Sequence, residues 1–139
     1  VNRTADQRAY FAVNIILAGV ILLIMGYSGF YSPDENEYPV VCIHEKLTGE
    51  QCPSCGLSHA FSLIIRGRID EALLLNSASV RVFLFFALQL FMRLGLGARN
   101  LLTGQWLKQI ARADALISSI MALYAFYPFL SALWTGLFW

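Results

Sequence analysis

The run Cys52-Pro53-Ser54-Cys55-Gly56 sets two thiols at C-x₂-C spacing just ahead of a glycine. All three cysteines and both histidines of this 139-residue chain lie between Cys42 and His59. A C-x₂-C pair is one half of a tetrahedral zinc site, which needs four Cys or His ligands. Cys42 supplies a third ligand and His44 or His59 a fourth. The candidate metal set is therefore Cys42, His44, Cys52, Cys55 and His59, and zinc is the cofactor that this inventory allows. Gly56 permits the tight turn in which backbone N–H groups approach the sulfurs.

The same thiols support two other chemistries. A disulfide among Cys42, Cys52 and Cys55 would form readily in an oxidising compartment. Joining Cys42 to Cys52 or Cys55 would hold the loop against the helix that follows and leave one cysteine over. A dithiol at the start of a helix also has a lowered thiol pKa, the basis of thiol–disulfide exchange, although no βαβ pattern surrounds it here. The histidines have plainer readings, His59 as a polar residue on a half-wet helix face and His44 as a loop residue. The rest of the sequence offers no Ser-His-Asp pattern and no phosphate-cradling glycine loop.

The elements that hold these residues are adapted to lipid. The chain is 58% hydrophobic and 14% charged, against about a quarter charged in soluble domains. Ten Lys and Arg against nine Asp and Glu lack the basic excess of a nucleic-acid binder. Apolar runs predict membrane spans at about 10–31, 78–96 and 115–138. The first lacks a cleavage-site pattern and reads as an uncleaved span. Arg81 and Arg93 lie near the ends of the second, where they could snorkel to headgroups. Pro128 predicts a kink in the third. Asn14 and Gln89 are expected to face other helices. No intramembrane carboxylate of the kind that proton-coupled transporters use is evident.

Residues 32–77 predict an outer loop followed by short helices. Leu57, Ala60, Phe61 and Ile64 recur at helical spacing on one face, with His59, Ser62 and Arg66 on another. Gly67 is placed as a stop, and a second short piece runs from Asp70 to Leu75. The expected fold is thus all-α: a polytopic membrane protein of one membrane domain, 1–139. It has about three transmembrane helices and a short interfacial or re-entrant helix after the Cys-Pro-Ser-Cys-Gly motif.

Positive charge sets the orientation. Arg3 and Arg8 precede the first span, and Arg93, Arg99, Lys108 and Arg112 lie at or between the second and third. The segment from Ser32 to Ser79 is acidic. The N-terminus is expected in the cytoplasm and the Cys-rich loop outside. Trp134 and Trp139 suit an outer interfacial belt and Trp106 an inner one.

The run from Cys42 through Leu47-Thr48-Gly49, Cys52-Pro53-Ser54-Cys55-Gly56-Leu57-Ser58-His59-Ala60, Arg66-Gly67, Ala72 and Asn76 resembles a widespread family of small bacterial membrane proteins. Their domain is of unknown function, with a pattern close to C…TG…CPxCGxTRA…G…A…NP. The resemblance covers about Val41 to Arg93. His59 stands where the pattern has arginine, and Ser77 where it has proline. An anion-binding role of that arginine would be weakened by a neutral His59, and a metal role strengthened. The resemblance implies an integral protein of the bacterial inner membrane and supplies no reaction.

The expectation is an accessory or interaction subunit, not an enzyme, with a Cys-rich extracytoplasmic cap closed by a disulfide or zinc. Its partners would be the lipid bilayer and either further copies of itself or a larger membrane protein, with no nucleic acid. The alternative is a membrane thiol–disulfide oxidoreductase or metal-handling protein using Cys42, Cys52 and Cys55. Transport would need a polar pathway that three spans hardly provide unless they oligomerise.

Overall fold

A computed structural model describes residues 4–32, 56–103 and 106–137. Along the chain these form α1 (Ala5–Phe30), α2 (Leu57–Ile65), α3 (Ile69–Leu75), α4 (Ser79–Leu102) and α5 (Leu107–Leu137), with no strand among the described residues. α1, α4 and α5 are each long and apolar enough to cross a membrane. The shortest of them, α4, has 24 residues, or about 36 Å at 1.5 Å per residue, against a hydrocarbon core of about 30 Å. Large apolar side chains point outward along them, among them Ile16, Leu23, Leu88, Phe91, Leu116, Ile120 and Leu123, each at least half exposed. In water such surfaces would associate; in lipid they are solvated. The described residues form an all-helical membrane protein.

The helix ends lie outside the apolar runs for identifiable reasons. α1 begins before Tyr10 because Thr4 and Gln7 form a capping box. The Thr4 Oγ1 accepts from the Gln7 N–H at 3.3 Å, and the Gln7 Oε1 accepts from the Thr4 N–H at 3.0 Å. α5 begins at Leu107 instead of Ala115, because the Trp106 carbonyl accepts from the N–H groups of Gln109 and Ile110. Trp106 takes a left-handed φ of 60° to do so. Lys108, Arg112 and Asp114 therefore belong to the helix. α5 runs on through Pro128, whose carbonyl accepts from the Ser131 hydroxyl at 2.9 Å.

The chain divides into two compact units, Val1–Ile24 with Phe85–Tyr124, and Met25–Leu84 with Ala125–Trp139. The first unit is built from parts of α1, α4 and α5. Gly97 brings α4 close to α1: a Cβ added there would lie 3.8 Å from the Asn14 Cβ and 3.9 Å from the Phe11 ring. The Asn100 Nδ2 donates to the Gln7 carbonyl at 2.7 Å, a second tie between the same helices.

The second unit contains the short helices. Ala60 and Leu63 of α2 meet Ala72 of α3 in a buried cluster, with Ile64 packed against it. The α2–α3 connection closes by a Schellman motif. Gly67, at φ 79°, donates to the Ile64 carbonyl at 2.9 Å, and the Arg68 N–H reaches the Leu63 carbonyl at 2.9 Å. Asn76 then turns the chain into α4, its Oδ1 accepting from the Ala78 N–H at 3.0 Å. Phe61 packs edge-on against Phe83, ring centroids 5.4 Å apart.

Candidate functional site

The first unit holds a charged cluster with one contribution from each long helix. Tyr10 and Asn14 lie on α1, Gln89 and Arg93 on α4, and Asp114 and Ser118 on α5. Each pair is spaced i, i+4, so both members share a helix face. The Arg93 guanidinium meets the Asp114 carboxylate with both terminal nitrogens, Nη1 to Oδ2 at 2.7 Å and Nη2 to Oδ1. This two-point geometry is the strongest that a carboxylate offers to arginine. The remaining donors are also used. Nε donates to the Gln89 Oε1 at 3.2 Å, Nη1 to the Asn14 Oδ1 at 3.2 Å, and Nη2 to the Gln89 Oε1 at 3.0 Å and the Ser118 Oγ at 2.7 Å. All five guanidinium N–H groups thus have acceptors.

Asp114 is equally engaged. The Tyr10 hydroxyl donates to its Oδ2 at 3.0 Å and the Ser118 hydroxyl to its Oδ1 at 3.2 Å. Asn14 is oriented by its own helix, Nδ2 donating to the Tyr10 carbonyl at 2.8 Å, which leaves Oδ1 facing Arg93. Arg93 is 5% exposed, Asp114 7% and Asn14 0%, so the charges are removed from solvent. A paired, hydrogen-bonded arginine facing other helices is the form in which charge is tolerated inside a membrane protein. The Gln89 Nε2 is buried with no hydrogen-bond partner, while its Oε1 is fixed by Arg93.

Arg93 therefore does not snorkel from the end of its span. It lies nine residues inside the end of α4, turned toward α1 and α5. α5 begins early enough to bring Asp114, placed by the sequence reading just before the third span, onto the helix. Asn14 and Gln89 face other helices as expected. What the sequence reading missed was the shared i, i+4 spacing of the three polar pairs, one on each long helix.

In the second unit, the face of α2 that carries Ser62 and Arg66 closes the end of α1. The last carbonyls of a helix lack intrahelical donors. The Ser62 hydroxyl donates to the Tyr31 carbonyl at 2.7 Å, and the Arg66 Nη2 to the Gly29 carbonyl at 3.2 Å. A cation at a helix C-terminus is also favoured by the helix dipole. The Arg66 Nη1 meanwhile donates to the Ser62 carbonyl at 3.1 Å, which braces the pair. Ser62 is wholly buried at this contact, while Arg66 reaches the same helix end from an exposed position and His59 is half-buried.

Gly56 precedes α2 with φ 76°, a left-handed conformation that glycine adopts without strain. It also lies against the end of α3, where a Cβ would come 3.4 Å from the Leu75 carbonyl oxygen. The motif glycine thus seats the start of α2 on the last turn of α3. His59 is half-buried on α2, and this burial pushes its imidazole below the ordinary pKa near 6.5. The neutral ring that results is the form that binds metal. Cys42, His44, Cys52 and Cys55 lie outside the described residues. Among the described residues no three His, Cys, Asp or Glu side chains gather into a metal-holding group.

Residues 42–90 match the model of a family described as a protein of unknown function (DUF2752). No curated protein and no solved structure matches the chain. The matched stretch begins at Cys42, takes in α2 and α3, and ends in α4 just beyond Gln89. It includes Gly56, Ser62, Arg66 and Asn76. Arg93, Asp114 and Asn14 lie outside it.

Proposed function

We propose that this protein is a membrane-embedded accessory or interaction subunit, a helical scaffold that carries a Cys-rich cap. The observation that carries this reading is the Arg93 cluster. Its guanidinium donors are all spent on Asp114, Asn14, Gln89 and Ser118, side chains of the protein's own three long helices. Such an arrangement fixes which helix faces meet, and leaves the apolar outer faces for lipid or for another membrane protein. The charge asymmetry of the sequence supports a bacterial inner-membrane orientation with the N-terminus in the cytoplasm and residues 32–77 outside. In that orientation the cysteines face an oxidising space, and a disulfide or zinc closes the cap. Partners are further copies of the chain or a larger membrane protein. Mild-detergent purification from native membranes, with crosslinking, tests this reading. A stable monomer with no protein retained at stoichiometric level is the result against it.

A second reading is favoured by the start of α2. The helix begins at Leu57, two residues after Cys55, and a thiol near a helix N-terminus is more acidic and more reactive. This supports a membrane thiol–disulfide oxidoreductase or metal-handling protein using Cys42, Cys52 and Cys55. Metal analysis and thiol counting on natively prepared protein separate the cases. Stoichiometric zinc with all thiols reduced removes the disulfide; one unreactive cysteine pair without metal removes zinc. A thiol state that cycles with a redox partner establishes the oxidoreductase.

A further inference from the structure

Among the described residues of the second unit, the end of α3 leaves adjacent apolar side chains outside the core. α3 concentrates its charge at its start: Asp70 and Glu71 follow the half-exposed Ile69 in the first turn, beside Arg68, which pairs with Glu71 at 2.6 Å. Its last turn is Leu73, Leu74 and Leu75, with relative exposures of 42%, 88% and 51%. Ala72 alone of this helix is buried, against Ala60 and Leu63. Three adjacent exposed leucines at the end of a seven-residue helix are costly in water, because apolar surface favours leaving it.

The level of this turn relative to the bilayer is set by its connections. Leu75 is followed by Asn76, Ser77 and Ala78, after which α4 begins its membrane crossing at Ser79. The Ser79 hydroxyl donates back to the Ala72 carbonyl at 3.2 Å, so α3 is fastened to the first residue of α4. α2, packed on α3, is fastened in turn to the end of α1 through Ser62 and Arg66. The short-helix pair is therefore held at the level where one span ends and the next begins. That level is the bilayer interface.

We propose that the last turn of α3, Leu73–Leu75, is inserted among lipid acyl chains just below the headgroups, while Arg68, Asp70 and Glu71 remain in the headgroup layer. α3 is then the main interfacial anchor of the α2–α3 pair, because Ala60, Phe61 and Leu63 of α2 are buried in protein and its exposed apolar side chain is Ile65 at its end. Insertion of this kind reaches about 5–10 Å into the interface. The anchor would hold the segment that begins at Gly56 flat against the membrane, whatever closes the cysteine loop.

The test uses Leu74→Trp in a chain whose three tryptophans are replaced by phenylalanine, reconstituted into phosphatidylcholine–phosphatidylglycerol vesicles. The expected result is blue-shifted emission, quenched more strongly by lipids brominated near the headgroup than by lipids brominated near the chain end. Water-like emission without quenching overturns the proposal. So does blue-shifted emission that neither lipid quenches, since protein would then cover the turn. Hydroxyl-radical labelling of the unsubstituted protein in the same vesicles gives an independent reading should the tryptophan-free chain not fold. Protection of residues 73–75 that persists on dilution with lipid supports lipid insertion. Labelling of these leucines, or protection lost on dilution, overturns it.

Discussion

Arg93 and Asp114 stand 21 positions apart in sequence and meet as a buried two-point ion pair between α4 and α5. Around them Asn14, Gln89, Tyr10 and Ser118 supply the hydrogen bonds that a desolvated charge needs. A buried pair adds little over an apolar pair of the same volume, but losing one partner strands a charge. Its value here is specificity: it selects one rotation of each helix among the many that a greasy surface would accept.

Removing one partner should therefore be worse than removing both. Arg93→Leu or Asp114→Leu alone should destabilise the protein by about 3–5 kcal/mol, with the double variant closer to the parent. Reversible unfolding in mixed micelles, analysed as a double-mutant cycle, measures the coupling. Additive losses would mean that the two residues act independently.

Ser62 and Arg66 cap α1 together, so their effects should overlap. Ser62→Ala and Arg66→Leu should each cost about 1–2 kcal/mol, and the double variant less than the sum, because Arg66 also braces Ser62. Amide hydrogen exchange in the last turn of α1 should rise in both single variants. Unchanged exchange there would argue against the capping role.

Gly56 and Gly67 share a left-handed backbone but differ in surroundings. Alanine at either position should cost about 1–2 kcal/mol from backbone strain alone. Valine should separate them. At Gly56 a longer side chain meets the Leu75 backbone, whereas at Gly67 nothing lies within 4 Å. Thermal unfolding of the four variants checks this, and equal losses for the two valine variants would contradict the packing of Gly56 on α3.

His59 should give stability a shallow pH dependence. Burial lowers its folded-state pKa below the ordinary 6.5, so near that pH the unfolded chain binds the proton more readily. The contribution is fully present above 6.5 and is lost as pH falls from there toward the lowered folded value. His59→Gln should flatten the profile in this window. Unfolding midpoints recorded between mildly acid and neutral pH, with a chelator present, provide the measurement.

Much of this protein is set by local sequence. Long, mostly apolar runs dictate three long helices, because only a helix satisfies every backbone group within one segment of lipid-facing chain. Gly67 ends α2, as the sequence predicts, since few other residues enter the left-handed region without strain. The short helix after the Cys-Pro-Ser-Cys-Gly motif was also evident from the spacing of its apolar residues.

The tertiary structure decided which polar groups meet. Arg93 reads as an end-of-span cation when α4 is considered alone, and Asp114 as a loop residue when the apolar run is taken to begin at Ala115. Only the early start of α5 at Leu107 brings the carboxylate onto a helix opposite the guanidinium. Ser62 likewise reads as one polar residue on a helix face beside His59 and Arg66 until the end of α1 arrives to take its hydroxyl hydrogen. Hydropathy is summed along one segment, whereas an ion pair depends on two segments and their relative rotation. The first is therefore written locally, and the second exists only once the helices have packed.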